Sequence, residues 1–161
     1  MTEAARHVLS DCELAIAELE PAQDSAQWRR RWVAALVLLR SVGHVLTKVD
    51  GEQSATYRSA IDAWWKSMQR SKPHPYIFWS FIEEERNTIL KRYTTKGVHI
   101  ERTTIRFNIA TGERLEAPPI YLTIIEGGVF DGRPQVEVGN EAVVWWRLQL
   151  NAIDSLAREA P

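Results

Sequence analysis

The chain has 161 residues, 45% of them hydrophobic and 25% charged, with a formal net charge of −1 and one cysteine. A single domain of this length buries about 70% of its unfolded surface, so a core forms without covalent staples. Lone Cys12 excludes an intrachain disulfide and a cysteine zinc site, and the near-zero charge excludes a surface coated in basic residues, though not a local basic patch.

The N-terminus, MTEAARHVLSDCE, has neither the basic start nor the apolar stretch of a signal peptide. The longest uncharged apolar run, WVAALVLL, is far below the ~20 residues that span a bilayer. These features predict a cytoplasmic protein with no membrane partner. Residues 3–19 read as a first helix, with Val8, Cys12, Ala15, Ile16 and Leu19 at helical spacing and Pro21 closing it. Asp24 or Ser25 then caps a second helix over about 25–49. Its seam is Trp28, Trp32, Ala35, Leu39, Val42, Leu46 and Val49, and Gly51 is suited to stop it.

A third helix over about 54–70 buries Tyr57, Ala60, Ile61, Trp64, Trp65 and Met68. The prolines of SKPHPY break the chain before a fourth helix over about 76–95. After Gly97 the texture becomes β-branched and turn-rich, which predicts three or four short antiparallel strands. Helical periodicity returns at Asn140, with Val144, Leu148, Ile153 and Leu156 as its inward positions. The sum is one domain, 1–161, of α+β class but mainly α. It is an up-down bundle of about five helices, helical over 1–96 and 140–161, with a small antiparallel β insertion over about 98–139 before the last helix. The seven tryptophans belong to its core or to an interface.

The stretch FIEEERNTILKRY, residues 81–93, concentrates the chemistry. At 100° per residue, Phe78, Trp79, Ile82, Ile89 and Tyr93 share one face, and Glu85 and Arg86 fall within about 60° of its centre. A charge facing a core needs a partner. Arg40, which interrupts AALVLLRSVGHVL, and His44 one turn later are positioned to supply one. The residues therefore predict a polar network of Arg40, His44, Glu85, Arg86 and Tyr93 between the second and fourth helices, with Glu85 as the acid beside Arg40. The alternative is a plain structural ion pair, with His44 an ordinary core histidine. His7, His74 and His99 show no ligand spacing, so no metal and no other cofactor is expected.

RNTILKRY, Arg86 to Tyr93, resembles the signature of the HEPN superfamily of helical bundles, Arg-Asn-x-x-x-His-x-Tyr in its toxin branch. Arg86, Asn87 and Tyr93 match; Lys91 stands where the family has histidine. The resemblance implies a metal-independent ribonuclease ancestry, a site formed between protomers, and a bacterial setting in defence or toxin–antitoxin modules. A guanidinium pairs with phosphate bidentately. An exposed ammonium with a pKa near 10.4 offers no free base at neutral pH. The implied activity is therefore binding of an anion, a nucleotide or RNA by Arg86, Asn87 and Lys91 without cleavage. Two other readings stay open: a Trp-rich homodimer or scaffold that docks a protein partner, and an enzyme using Glu85 and His44 as acid and base.

Overall fold

The first three α-helices begin where a carboxylate or hydroxyl takes up free N–H groups of the first turn. The computed structural model describes residues 1–19, 24–102, 105–116 and 120–159. Helix α1 spans Glu3–Ala17, and its own N-cap, Thr2, makes no side-chain cap bond. Buried Asp50 caps it from a distance, its two carboxylate oxygens accepting from the N–H groups of Ala4 (3.0 Å) and Ala5 (2.9 Å). Asp154, also buried, accepts from the Thr2 N–H at 2.9 Å, from Arg6 at 2.8 Å and from the Tyr57 hydroxyl at 3.2 Å. Helix α2, Ser25–Lys48, is capped by Asp24, and α3, Ala55–Arg70, by Ser54. A 3-10 turn, Asp50–Glu52, joins them and carries the residue that caps α1.

The fourth helix departs from expectation. Ile77–Glu83 is a π-helical segment, and α4 proper is Glu84–Arg92. The wider π turn accommodates five bulky apolar side chains at once: Ile77, Phe78, Trp79, Phe81 and Ile82 are all buried. It also breaks the uniform 100° phase assumed from sequence. Tyr93, expected on the core face, is 61% exposed and ends α4 in the left-handed conformation at φ 52°.

Two antiparallel ladders follow, rather than one sheet of three or four strands. Strand β1, Gly97–Arg102, pairs with β4, Ile120–Ile125, and β2, Ile105–Phe107, pairs with β3, Arg114–Glu116. Helix α5 runs Gln135–Glu159, five residues earlier than the Asn140 start read from periodicity, so the β insertion closes before residue 135. Its phase also differs. Val144, Leu148 and Leu156 face outward, at 50%, 59% and 46% exposure, while Val138, Ala142, Val143, Trp146, Leu150, Ile153 and Ala157 are buried. Of the two adjacent tryptophans, Trp146 takes the inward position and is fully buried, while Trp145 is only half-buried. Pro21, expected to close α1, and the turn at 117–119 lie outside the described residues.

The architecture is α+β and mainly α, with α1 packed on α2 and α5, and α3 packed on α5. The segment Ser25–Glu52, which contains the short run WVAALVLL, is long and apolar enough to cross a membrane by length and composition, with mean hydropathy 1.4 over 18 residues. In this fold its inward stripe, from Trp28 to Leu46, is buried against other helices.

Gly97 opens β1 in close contact with α5. A Cβ there would lie 2.5 Å from the Gln135 side-chain oxygen and 2.6 Å from Thr123 Cγ2. Gly97→Ala is expected to destabilise the fold by about 1–3 kcal/mol, measured by denaturant unfolding, as overpacking does. For Asp154, burial pushes the carboxyl up, but the bonds from Arg6 and Thr2 outweigh it and hold it below its ordinary range. That contribution is present above the unfolded pKa of about 3.9 and is lost as pH falls through the lower folded value. Asp154→Asn should lower stability at pH 7 by roughly 1.5–3 kcal/mol, with the gap from wild type closing in strong acid.

Candidate functional site

One polar stripe crosses the otherwise apolar α2. Arg40, Gly43, His44, Thr47 and Lys48 recur at i, i+3, i+4, i+7 and i+8, which puts them on one side of the helix. They line a cleft of about 180 Å3, whose other walls are Ile61, Asp62, Trp64 and Trp65 of α3, Phe78 of the π segment and Trp146 of α5. Gly43 permits this geometry. A Cβ at that position would meet the Trp146 ring at 3.1 Å and Arg40 Nη1 at 3.4 Å. The Trp146 indole donates to the Leu39 carbonyl at 2.9 Å, which locks the ring against α2.

The electrostatics of the cleft are one-sided. The Arg40 guanidinium is half-buried and stands over the Phe78 ring, 5.6 Å from its centroid. Among the described residues it makes no hydrogen bond and no ion pair within 4 Å. Burial and the Arg86 charge push its pKa down, against the pull of Glu83. His44, though exposed, is pushed below the ordinary histidine value by partial desolvation and then by Arg40, Arg86 and Lys48. Its imidazole is therefore uncharged at neutral pH, and among the described residues it makes no hydrogen bond. Three permanent cations thus bear on His44.

The predicted polar network is divided. Arg40 and His44 do come together in the cleft. Glu85 does not join them. It is 4% exposed and accepts from the Thr95 hydroxyl at 3.1 Å and the Lys96 N–H at 3.2 Å. Thr95 in turn accepts from Gln135 at 2.9 Å, so Glu85 ties α4 to the start of β1 and, through Thr95, to α5. The π turn rotates it there, away from α2. Tyr93 lies apart, with the Arg29 guanidinium 5.4 Å from its ring centroid.

The predicted anion-binding set is divided as well. Arg86 donates to the Asn87 side-chain oxygen at 2.9 Å, and its charge is felt by Arg40 and His44. Asn87 and Lys91, four residues apart, line a different and open groove of about 650 Å3 that Arg86 does not line. Five residues at 100° each separate Arg86 from Lys91 by about 140° around the helix. That groove mixes charges, with Lys72, Lys91 and Arg92 beside Glu83 and Glu84. Among the described residues no three His, Cys, Asp or Glu side chains are grouped to hold a metal.

Sequence reading missed Lys48, Gly43 and the aromatic wall. The stripe on α2 was readable as a polar i, i+3, i+4, i+7, i+8 pattern, whereas the wall is assembled by three other elements. Comparison of the chain with known protein families, curated proteins and solved structures gives no match. The functional reading therefore stands on this geometry.

The division separates two roles experimentally. Glu85→Ala should cost about 1.5–3 kcal/mol of stability, from loss of hydrogen bonds to a buried carboxylate, and leave ligand affinity at the α2 cleft unchanged. Thermal melts and titrations of the same variant check both halves.

Proposed function

We propose that this protein is a HEPN-like helical bundle that binds an anionic ligand of the nucleotide or RNA class in the α2 cleft, without cutting it. The observation that carries the reading is the half-buried Arg40 guanidinium with no acid in hydrogen-bond reach among the described residues. Such a guanidinium has lost part of its water, and an anion in the cleft would supply the hydrogen-bond partner it lacks. Lys48 and Arg86 add long-range attraction. The resemblance carried by Arg86, Asn87 and Tyr93 supports a phosphate ligand and a cytoplasmic, defence-linked bacterial setting. Lys91 in the histidine position supports binding without cleavage, as does His44 lacking an acid to orient it.

Arg40→Ala should weaken binding of a hexauridylate roughly 10- to 100-fold, the worth of a charge-assisted hydrogen bond. Affinity should also fall with added salt. Retained affinity in this variant, with only a lower melting temperature, sinks the reading. An anion favours the imidazolium form of His44, so affinity should rise as pH drops below the ordinary histidine value of about 6.5. Phosphodiesters do not titrate there, and His44→Ala should flatten the profile.

A second reading rests on the outer face of α5. Val144 and Leu148 lie one turn apart and are half exposed, with Leu156 two turns beyond. A homodimer joined through that face would appear as a concentration-dependent sedimentation coefficient, lost in Leu148→Glu.

A further inference from the structure

The cations alone would suit any phosphate. The rest of the lining narrows the choice. Four aromatic rings face this cleft, and three are nearly sealed: Trp64 is 9% exposed, Phe78 1% and Trp146 0%. Trp65 is the half-buried one, packed edge-on to Phe78 at 5.9 Å and tilted against Trp64 at 6.0 Å and Trp79 at 5.7 Å. The indole N–H groups of Trp64 and Trp146 are taken by Gln149 and the Leu39 carbonyl. Among the described residues that of Trp65 has no acceptor. Trp65 thus offers a half-buried indole and a free donor in the lining of a cationic cleft.

We infer that the cleft takes a small anion bearing one flat ring, an aryl or pyrimidine monophosphate, with the ring on Trp65 and the charged head at Arg40. This rests on the reading that the Arg40 cluster holds an anion. The volume of about 180 Å3 supports it. It equals roughly six waters and is below the ~300 Å3 at which drug-sized pockets begin. One flat ring and a phosphate fill it, so the ribose of a nucleotide must project from the cleft, and a second base has no place inside. The charge excludes the reverse ligand, because two permanent cations outweigh Asp62 and would repel the cations that aromatic cages otherwise hold.

The test is calorimetric titration of the full chain with inorganic phosphate, phenyl phosphate, uridine monophosphate and hexauridylate at one ionic strength. Both ring-bearing monophosphates should bind on the order of tenfold tighter than inorganic phosphate, the usual effect of stacking on an aromatic side chain. The hexamer should bind no tighter per molecule than the monomer. In Trp65→Leu the ratio of phenyl phosphate to phosphate affinity should collapse toward one. Thr47→Phe, on the exposed side of α2, should do the same by filling the cleft, which guards against a Trp65 variant that misfolds. Lys48→Ala should weaken every ligand and keep the ratio. Equal affinity for phosphate and phenyl phosphate overturns the ring subsite and leaves the anion reading standing. A hexamer that binds far tighter than the monomer overturns the small ligand in favour of a strand. No binding by any probe overturns the anion reading itself.

Discussion

The contact on which this structure depends is the seating of Trp146 against the bare backbone of Gly43. The ring occupies the space a side chain at position 43 would need, and its N–H is bonded to Leu39 one turn earlier. Close approach of α5 to α2 follows from it, because Gly43 is the position that lets an indole come within van der Waals range of the helix. The phase of α5 follows too. With Trp146 inward, Leu150, Ile153 and Ala157 continue the buried stripe, and Val144 and Leu148 are turned out. Trp64 and Phe78 then pack against Trp146 at centroid distances of 5.8 and 5.9 Å. An aromatic wall is thereby raised opposite the polar side of α2.

That wall gives the charges their meaning. On an open helix surface, Arg40 would be as fully solvated as exposed Lys48, and worth little. Over Phe78 and beside Gly43, Arg40 loses part of its water without gaining an acid. Cation–π attraction offsets part of that loss. The nearest acid to act on it, Glu83, lies on the π segment and lines the other groove. The buried acids are committed elsewhere: Asp50 and Asp154 hold the start of α1, and Glu85 holds the junction of α4 with β1. The carboxylates that hold the helices together are thus not the groups that line the cleft, which makes the proposed binding separable from stability by mutation.

Much of the scaffold was legible in the sequence because it is written in short-range spacing. The seam from Trp28 to Leu46 is buried as read, though Val49, expected to continue it, is 48% exposed, and Asp24 caps the helix it precedes. The error on the fourth helix came from assuming a uniform helical phase. A single π turn at Ile77–Glu83 sent Glu85 toward Thr95 rather than Arg40 and left Tyr93 in solvent. On α5, two adjacent tryptophans gave two admissible phases, and only tertiary packing chooses between them. The candidate site was half legible. Arg40 and His44 stood out as polar breaks in an apolar run, but Trp64, Trp65, Phe78 and Trp146 reach the cleft from three other elements. No local pattern reports such a convergence.

The most direct measurement is the indole region of a proton–nitrogen correlation spectrum during titration with uridine monophosphate. With the cleft as the binding site, the Trp65 indole signal moves progressively and saturates, while the signals of Trp28 and Trp32, buried beside α1, stay in place. A saturating titration that leaves Trp65 unmoved, or that moves Trp79 in the Lys91 groove instead, would contradict the account.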